Sequence, residues 1–101
     1  MKSTSYFAFA CILAAAPAQA ALSGFHDSAE QIAMILSSAA VADGVRQAPI
    51  GSVSNTGTRD DGAHEWTVQV QDCDLRVYLM PIPPAGVGKT TYAIDIPGKC
   101  E

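Results

Sequence analysis

The chain has little charge, few bases and almost no imidazole. Charged residues make up 16% of its 101 positions, and there are six Lys or Arg, ten Asp or Glu and two His. The bases are scattered singly, and the formal net charge of −4 disfavours contact with phosphate backbones and anionic lipid surfaces. Internal repeats and charge blocks are also missing. We therefore expect one small domain that binds neither nucleic acid nor a membrane surface.

Long apolar runs are absent as well, apart from one near the start. Lys2 is followed by an apolar stretch over residues 6–16, which is shorter than the about 20 residues that a membrane-spanning helix needs. Ala18 and Ala20 then complete the small-x-small pattern that signal peptidases cleave. The pattern predicts a cleaved signal peptide over residues 1–20 and one exported domain over residues 21–101, without a membrane span and in a periplasmic or secreted location.

Cysteine is scarce, with three in the whole chain. Cys11 lies in the predicted signal peptide, and the alternative of a lipid-anchored cysteine is disfavoured because no leucine precedes it closely. Cys73 and Cys100 form an even pair in a small exported domain, which predicts one disulfide. The bridge closes a loop of roughly 27 residues and contributes on the order of 3.5 kcal/mol in the chain-entropy model.

A single helix is predicted before all the strands. Asp27 is the expected N-cap, with Glu30 three residues later, and Gly44 is the expected left-handed C-terminal residue. These signals give a helix over residues 28–42. Its core-facing stripe at helical spacing is predicted to be Ala29, Ile32, Ala33, Leu36, Ala39 and Ala40.

After Pro49 the apolar residues alternate with a period of two, which predicts strands over residues 50–58, 64–70, 75–80 and 89–96. Residues 60–62 and 71–74 have turn chemistry. We predict that the second and third strands pair with residue 66 opposite 79, 68 opposite 77 and 70 opposite 75. This pairing places every large apolar side chain on one face. The predicted fold is α+β, with one N-terminal helix packed on a four-stranded antiparallel meander and one disulfide. In element order it resembles small exported modules of the PepSY and cystatin-like kinds, some of which inhibit proteases.

The residue types that carry catalysis or bind metals do not form a site in the sequence. Residues 86–91 end like a phosphate-binding loop, but Pro83 stands where that motif needs Gly and a strand is predicted to follow. His26 and His64 lack a second ligand at a zinc-site spacing. Asp72 and Asp74 could form an acid pair, but turn roles are favoured. We therefore expect no enzyme activity, no metal and no cofactor.

Five side chains have no place in the predicted core. Tyr78 and Met80 lie on the outer face of the third strand, and Ile82, Pro83 and Val87 follow in a proline-rich connection. They predict a protein-binding patch, and the alternative is cross-strand packing beside a plain loop. On the same face, Arg76 is expected to pair with Asp95.

The function predicted from the sequence is that of a small exported non-catalytic protein-binding domain, either inhibitor-like or an accessory of an envelope complex. Its partner would be another exported or envelope protein. The alternative is a small periplasmic enzyme or ligand-binding domain whose site the sequence does not reveal. The oligomeric state is left open.

We predict that the exported protein begins at Ala21, because signal peptidases cut after the second small residue of the motif. Intact-mass spectrometry of the secreted chain measures this directly. A first residue beyond Gly24 would contradict both the cleavage site and the predicted start of the helix.

Overall fold

The structure is a computed structural model that describes residues 23–101, so the predicted signal peptide lies outside the described residues. The elements are the helices α1 (Gly24–Leu36) and α2 (Ala39–Gly44) and the strands β1 (Ile50–Thr58), β2 (His64–Val70), β3 (Asp74–Ile82) and β4 (Thr91–Asp95). The strands form one antiparallel sheet in the order β1-β2-β3-β4. The predicted α+β meander is confirmed. No helix within residues 23–101 is long and apolar enough to cross a membrane.

The region that was predicted to form a single helix forms two helices in the structure. The hydroxyl of Ser23, not the carboxylate of Asp27, caps the start of α1 by accepting the backbone N–H of His26 at 3.2 Å. Ser37 ends α1, and the Ser38 hydroxyl caps α2 by accepting the N–H of Val41. Serine hydroxyls compete for backbone hydrogen bonds, which explains the break at this pair of residues.

The end of the helical region also differs from the prediction. Gly44 lies inside α2, and the left-handed residues are Arg46 and Gln47, with φ of 55° and 57°. A Cβ on Gly44 would lie 2.8 Å from a methyl carbon of Leu75. Gly44 therefore lets α2 approach Leu75 of β3 closely and does not form a left-handed turn.

Of the stripe predicted to face the core, only Ile32 packs against it, and the four alanines and Leu36 are exposed. Ile35, Val41 and Val45 are buried, whereas Leu36 remains 54% exposed. Larger side chains gain more free energy from burial than alanine does, and the break at residues 37 and 38 changes the phase of α2. The sheet completes the core with inward residues that alternate as predicted: Trp66, Val68, Val70, Leu75, Val77 and Leu79.

The register between β2 and β3 differs by two residues from the predicted one. Trp66 lies opposite Val77 and Val68 opposite Leu75. The reason is a tighter turn, since the backbone N–H of Val70 donates to the carbonyl of Cys73 at 3.0 Å. A shift of two residues keeps every side chain on its face, so the apolar alternation is satisfied by both registers.

The predicted disulfide is present between Cys73 and Cys100, whose Cα atoms are 5.4 Å apart. Beside it, the backbone groups of Asp74 and Glu101 exchange two hydrogen bonds of 2.8 Å. The bridge and this backbone pair fasten the segment after β4 to the start of β3. Both cysteines also pack against the core.

We expect the paired change Cys73→Ser with Cys100→Ser to lower the free energy of unfolding by roughly 2–4 kcal/mol and to keep the sheet, because the bridge mainly restricts the unfolded chain. Urea unfolding followed by circular dichroism measures the difference. Loss of the strand signal in the absence of urea would show instead that the bridge is required for the topology.

Candidate functional site

The helices cover one face of the sheet and leave the other face open. Along β3 the inward residues are fully buried, and the residues between them point away from the helices. The same alternation in β2 and β4 gives an open face of mixed character. Its members are Glu65, Thr67, Gln69, Asp74, Arg76, Tyr78, Met80, Ile82, Thr91, Ala93 and Asp95. This face carries the predicted patch residues Tyr78, Met80 and Ile82.

Arg59 covers part of the open face. Its guanidinium lies 4.4 Å from the centre of the Tyr78 ring and forms ion pairs with Asp61 at 2.9 Å and Asp95 at 2.8 Å. Hydrogen bonds to these two carboxylates raise the pKa of Arg59, and the hydrogen bond from Arg59 lowers the pKa of Asp61. The cluster joins the β1–β2 turn to β3 and β4, and Tyr78 is half-buried beneath it.

The ion pairs on the open face differ from the predicted one. Asp95 pairs with Arg59, and Arg76 pairs with Glu65 at 3.1 Å. Glu65 lies opposite Tyr78 on the neighbouring strand, diagonal to Arg76. Sequence reasoning missed Arg59 because it follows β1 and contacts β4 across 36 positions of sequence.

The structure places the predicted patch residues in two groups. Tyr78, Met80 and Ile82 form a row on the open face of β3, with Met80 opposite the small side chain of Ala93. Pro83 and Val87 belong to the connection between β3 and β4. Ile82 is 46% exposed and Val87 is fully exposed. We call these five predicted residues the β3 ridge.

A groove of about 520 Å³ lies at the opposite end of the open face from the β3–β4 loop. Arg76 and Thr67 contribute to its floor, and the segment after β4 forms one wall. The lining residues are Thr56, Thr67, Asp74, Arg76, Tyr78, Pro97, Gly98, Lys99 and Glu101. Its volume falls within the usual range for small-molecule sites.

On the helix side, a polar network crosses the core. The indole N–H of Trp66 donates to Gln31 Oε1 at 2.9 Å, and the Gln31 amide donates to Asp27 at 3.2 Å and to the Tyr92 hydroxyl at 3.3 Å. Tyr92 in turn donates to Asp27 at 2.9 Å. The network satisfies Gln31, the one buried polar residue among residues 23–101.

Partial burial, together with the hydrogen bond to Asp27, raises the pKa of Tyr92 to about 12. The ring of His64 packs edge-on against the same tyrosine, with centroids 5.8 Å apart. Tyr92 is therefore held protonated as a donor to a carboxylate, which is a structural role and leaves no activated nucleophile here.

The other candidates for chemistry remain separate. Within residues 23–101, no three His, Cys, Asp or Glu side chains lie close enough to hold a metal ion. Lys89 of the phosphate-loop-like segment pairs with Glu30 of α1 at 2.8 Å, and the chain continues into β4 and not into a helix. His26 bonds to Ser23 at the exposed start of α1, far in sequence from His64.

Comparison with protein families, with curated protein sequences and with solved structures found no significant match. The resemblance in element order to small exported modules therefore assigns no family, and function is argued from the open face and its residues.

We predict that stability falls as pH rises from about 10 to about 12, because the folded state keeps the Tyr92 proton that the unfolded chain releases near pH 10. Below pH 10 both states are protonated, so this contribution is intact. When tyrosinate absorbance is followed against pH, one tyrosine should titrate with a midpoint near 12. This titration step should be absent from the Tyr92→Phe variant. A difference titration between the two proteins with an ordinary midpoint near 10 would contradict the network.

Proposed function

We propose that this chain is a small exported, non-catalytic domain that binds another exported protein through the β3 ridge. The observation that carries the proposal is the exposure of apolar side chains at one end of the open face. Val87 is fully exposed and Ile82 is 46% exposed, directly beyond the row formed by Tyr78 and Met80. Exposed apolar side chains grouped in this way are typical of interaction surfaces.

The side chain of Tyr78 and the backbone of the β3–β4 loop in the ridge are restricted in the unbound domain. Tyr78 is fixed beneath Arg59, whose guanidinium is itself held by two carboxylates. Pro83 and Pro84 restrict the backbone of the loop that carries Val87. A surface that is already ordered loses less conformational entropy on binding, which favours affinity.

The charge of the domain indicates the chemistry of the partner. Residues 21–101 contain ten acidic and five basic residues, which gives a net charge of −5. Residues 81–88 contain no charged side chain. The complementary partner is a protein with an apolar patch surrounded by basic residues, since opposite charge accelerates encounter and apolar contact stabilises the complex.

The location is part of the proposal. The disulfide between Cys73 and Cys100 is of the kind that persists in an oxidising compartment. Together with the signal-peptide pattern of residues 1–20, it supports a periplasmic or secreted protein. An inhibitor and an accessory subunit of an envelope complex both fit a rigid, non-catalytic surface.

A catalytic domain is less well supported by the described residues. His64 packs on Tyr92, and the nearby carboxylate of Asp27 is occupied by hydrogen bonds from Tyr92 and Gln31. Catalytic sites need titratable groups that converge on a space for substrate. Here Asp27 and Tyr92 bond to each other, and His64 packs on Tyr92.

The test is the double change Ile82→Ser with Val87→Ser, which removes the exposed apolar side chains without touching the Arg59 cluster. A matched control is Leu36→Ser with Ile50→Ser, because these residues are also exposed, at 54% and 45%, but lie away from the ridge. Cross-linking in the envelope identifies the partner, and purified components then give the affinity.

We expect the ridge variant to bind the purified partner at least about tenfold more weakly, a loss of about 1.4 kcal/mol, while the control variant binds normally. Binding should also weaken at high salt if the partner surrounds its apolar patch with bases. Equal affinity of the two folded variants would remove the ridge as the binding surface.

A further inference from the structure

We propose that the groove on the open face binds a dipeptide by its two charged ends. The groove shares only Tyr78 with the β3 ridge, and this inference does not depend on the function proposed for the ridge.

The wall forms because the register of pairing with β3 changes by two residues between β4 and the segment that follows it. Tyr78 lies opposite Asp95, so a regular ladder would bring residue 99 opposite Asp74. Asp74 instead bonds to Glu101 through two backbone hydrogen bonds, which leaves two extra residues on the outer side. The excess forms a bulge. Pro97, Gly98 and Lys99 of this bulge line the groove.

The disulfide makes this wall permanent. Cys100 is bonded to Cys73 and packs against the core, and Ile96 packs there as well. Residues 97–99 are thus anchored on both sides and are exposed between the anchors. The groove is consequently a fixed feature of the oxidised domain and not a gap beside a loose terminus.

The lining carries both signs of charge. Arg76 has 66% of its side chain exposed and approaches Glu65 through Nε at 3.1 Å. A guanidinium has five donors, so most of them are available to a second carboxylate. The carboxylates of Asp74 and Glu101 form no ion pair with the residues that the structure describes. Lys99 on the wall adds a second positive charge. The groove therefore matches a ligand that carries both a carboxylate and an ammonium group.

The backbone spacing of Asp74 and Arg76 along β3 is comparable with the length of a dipeptide. Asp74 and Arg76 are two positions apart on the same face of β3, which corresponds to about 7 Å along the strand. The two ends of an extended dipeptide are separated by a similar distance, at about 3.3–3.6 Å per residue. The hydroxyls of Thr56 and Thr67, hydrogen-bonded to each other at 3.1 Å, also line the groove and are the neutral polar groups that the peptide group of the ligand would meet.

The experiment is a titration of the oxidised protein with alanyl-alanine, followed by amide NMR spectra. Two blocked forms serve as matched probes: N-acetyl-alanyl-alanine lacks the ammonium group, and alanyl-alanine amide lacks the carboxylate. We expect saturable shifts at residues 74–78 and 97–101 with the zwitterion, and binding at least about tenfold weaker with each blocked form.

Single charge changes assign each end of the ligand. Arg76→Gln should weaken binding of the zwitterion about tenfold but leave binding of alanyl-alanine amide, which lacks the carboxylate, unchanged. Asp74→Asn should also weaken binding of the zwitterion about tenfold but leave binding of N-acetyl-alanyl-alanine, which lacks the ammonium group, unchanged. Arg46→Gln and Asp43→Asn, exposed charges on the helical side, are the controls and should change nothing.

No saturable shift at about 10 mM dipeptide, well above a millimolar Kd, overturns the proposal. Shifts that persist equally with both blocked forms, or that map to other residues, overturn it as well. The ridge variant with Ile82→Ser and Val87→Ser should retain full dipeptide binding, so failure of the ridge and failure of the groove are separate results.

Discussion

The amide of Gln31 fixes the helices on the sheet, and the rest of the architecture depends on that contact. It accepts the indole N–H of Trp66 on β2 and donates to the hydroxyl of Tyr92 on β4. A buried indole N–H without a partner would cost about 1–3 kcal/mol. Because one helical side chain satisfies groups on two strands, α1 is held at one position across the sheet, with Ile35 inserted into the core beside it.

Covering one face in this way leaves the other face to the solvent, as antiparallel sheets commonly do. The open face is organised by its charges. Arg59 and its two carboxylates lie over Tyr78, which also lines the groove. Tyr78 therefore marks the boundary between an apolar end, where Ile82 is exposed, and a polar end formed around Arg76. Two chemically different surfaces share one small sheet.

The backbone that carries each surface is restricted in the isolated domain. Prolines restrict the loop that continues the ridge, and the disulfide from Cys73 to Cys100 restricts the bulge that walls the groove. The proposed role in recognition fits such restricted backbones, because less of the free energy of contact is spent on ordering the chain. The hydrogen-bonded Tyr92 and Asp27 support this interpretation, since they satisfy each other and not a substrate.

The local pattern of the sequence determined the strands, their inward faces and the disulfide. β1 and β2 have the predicted bounds, because alternation and turn chemistry depend only on neighbouring residues. Tertiary structure alone decided the register of β2 on β3, because a shift of two residues leaves every face unchanged. It also decided that Gln31 is buried while Leu36 is exposed, and that Asp95 pairs with Arg59. These outcomes depend on contacts between residues distant in sequence, and a period of 2 or 3.6 residues carries no information about such contacts.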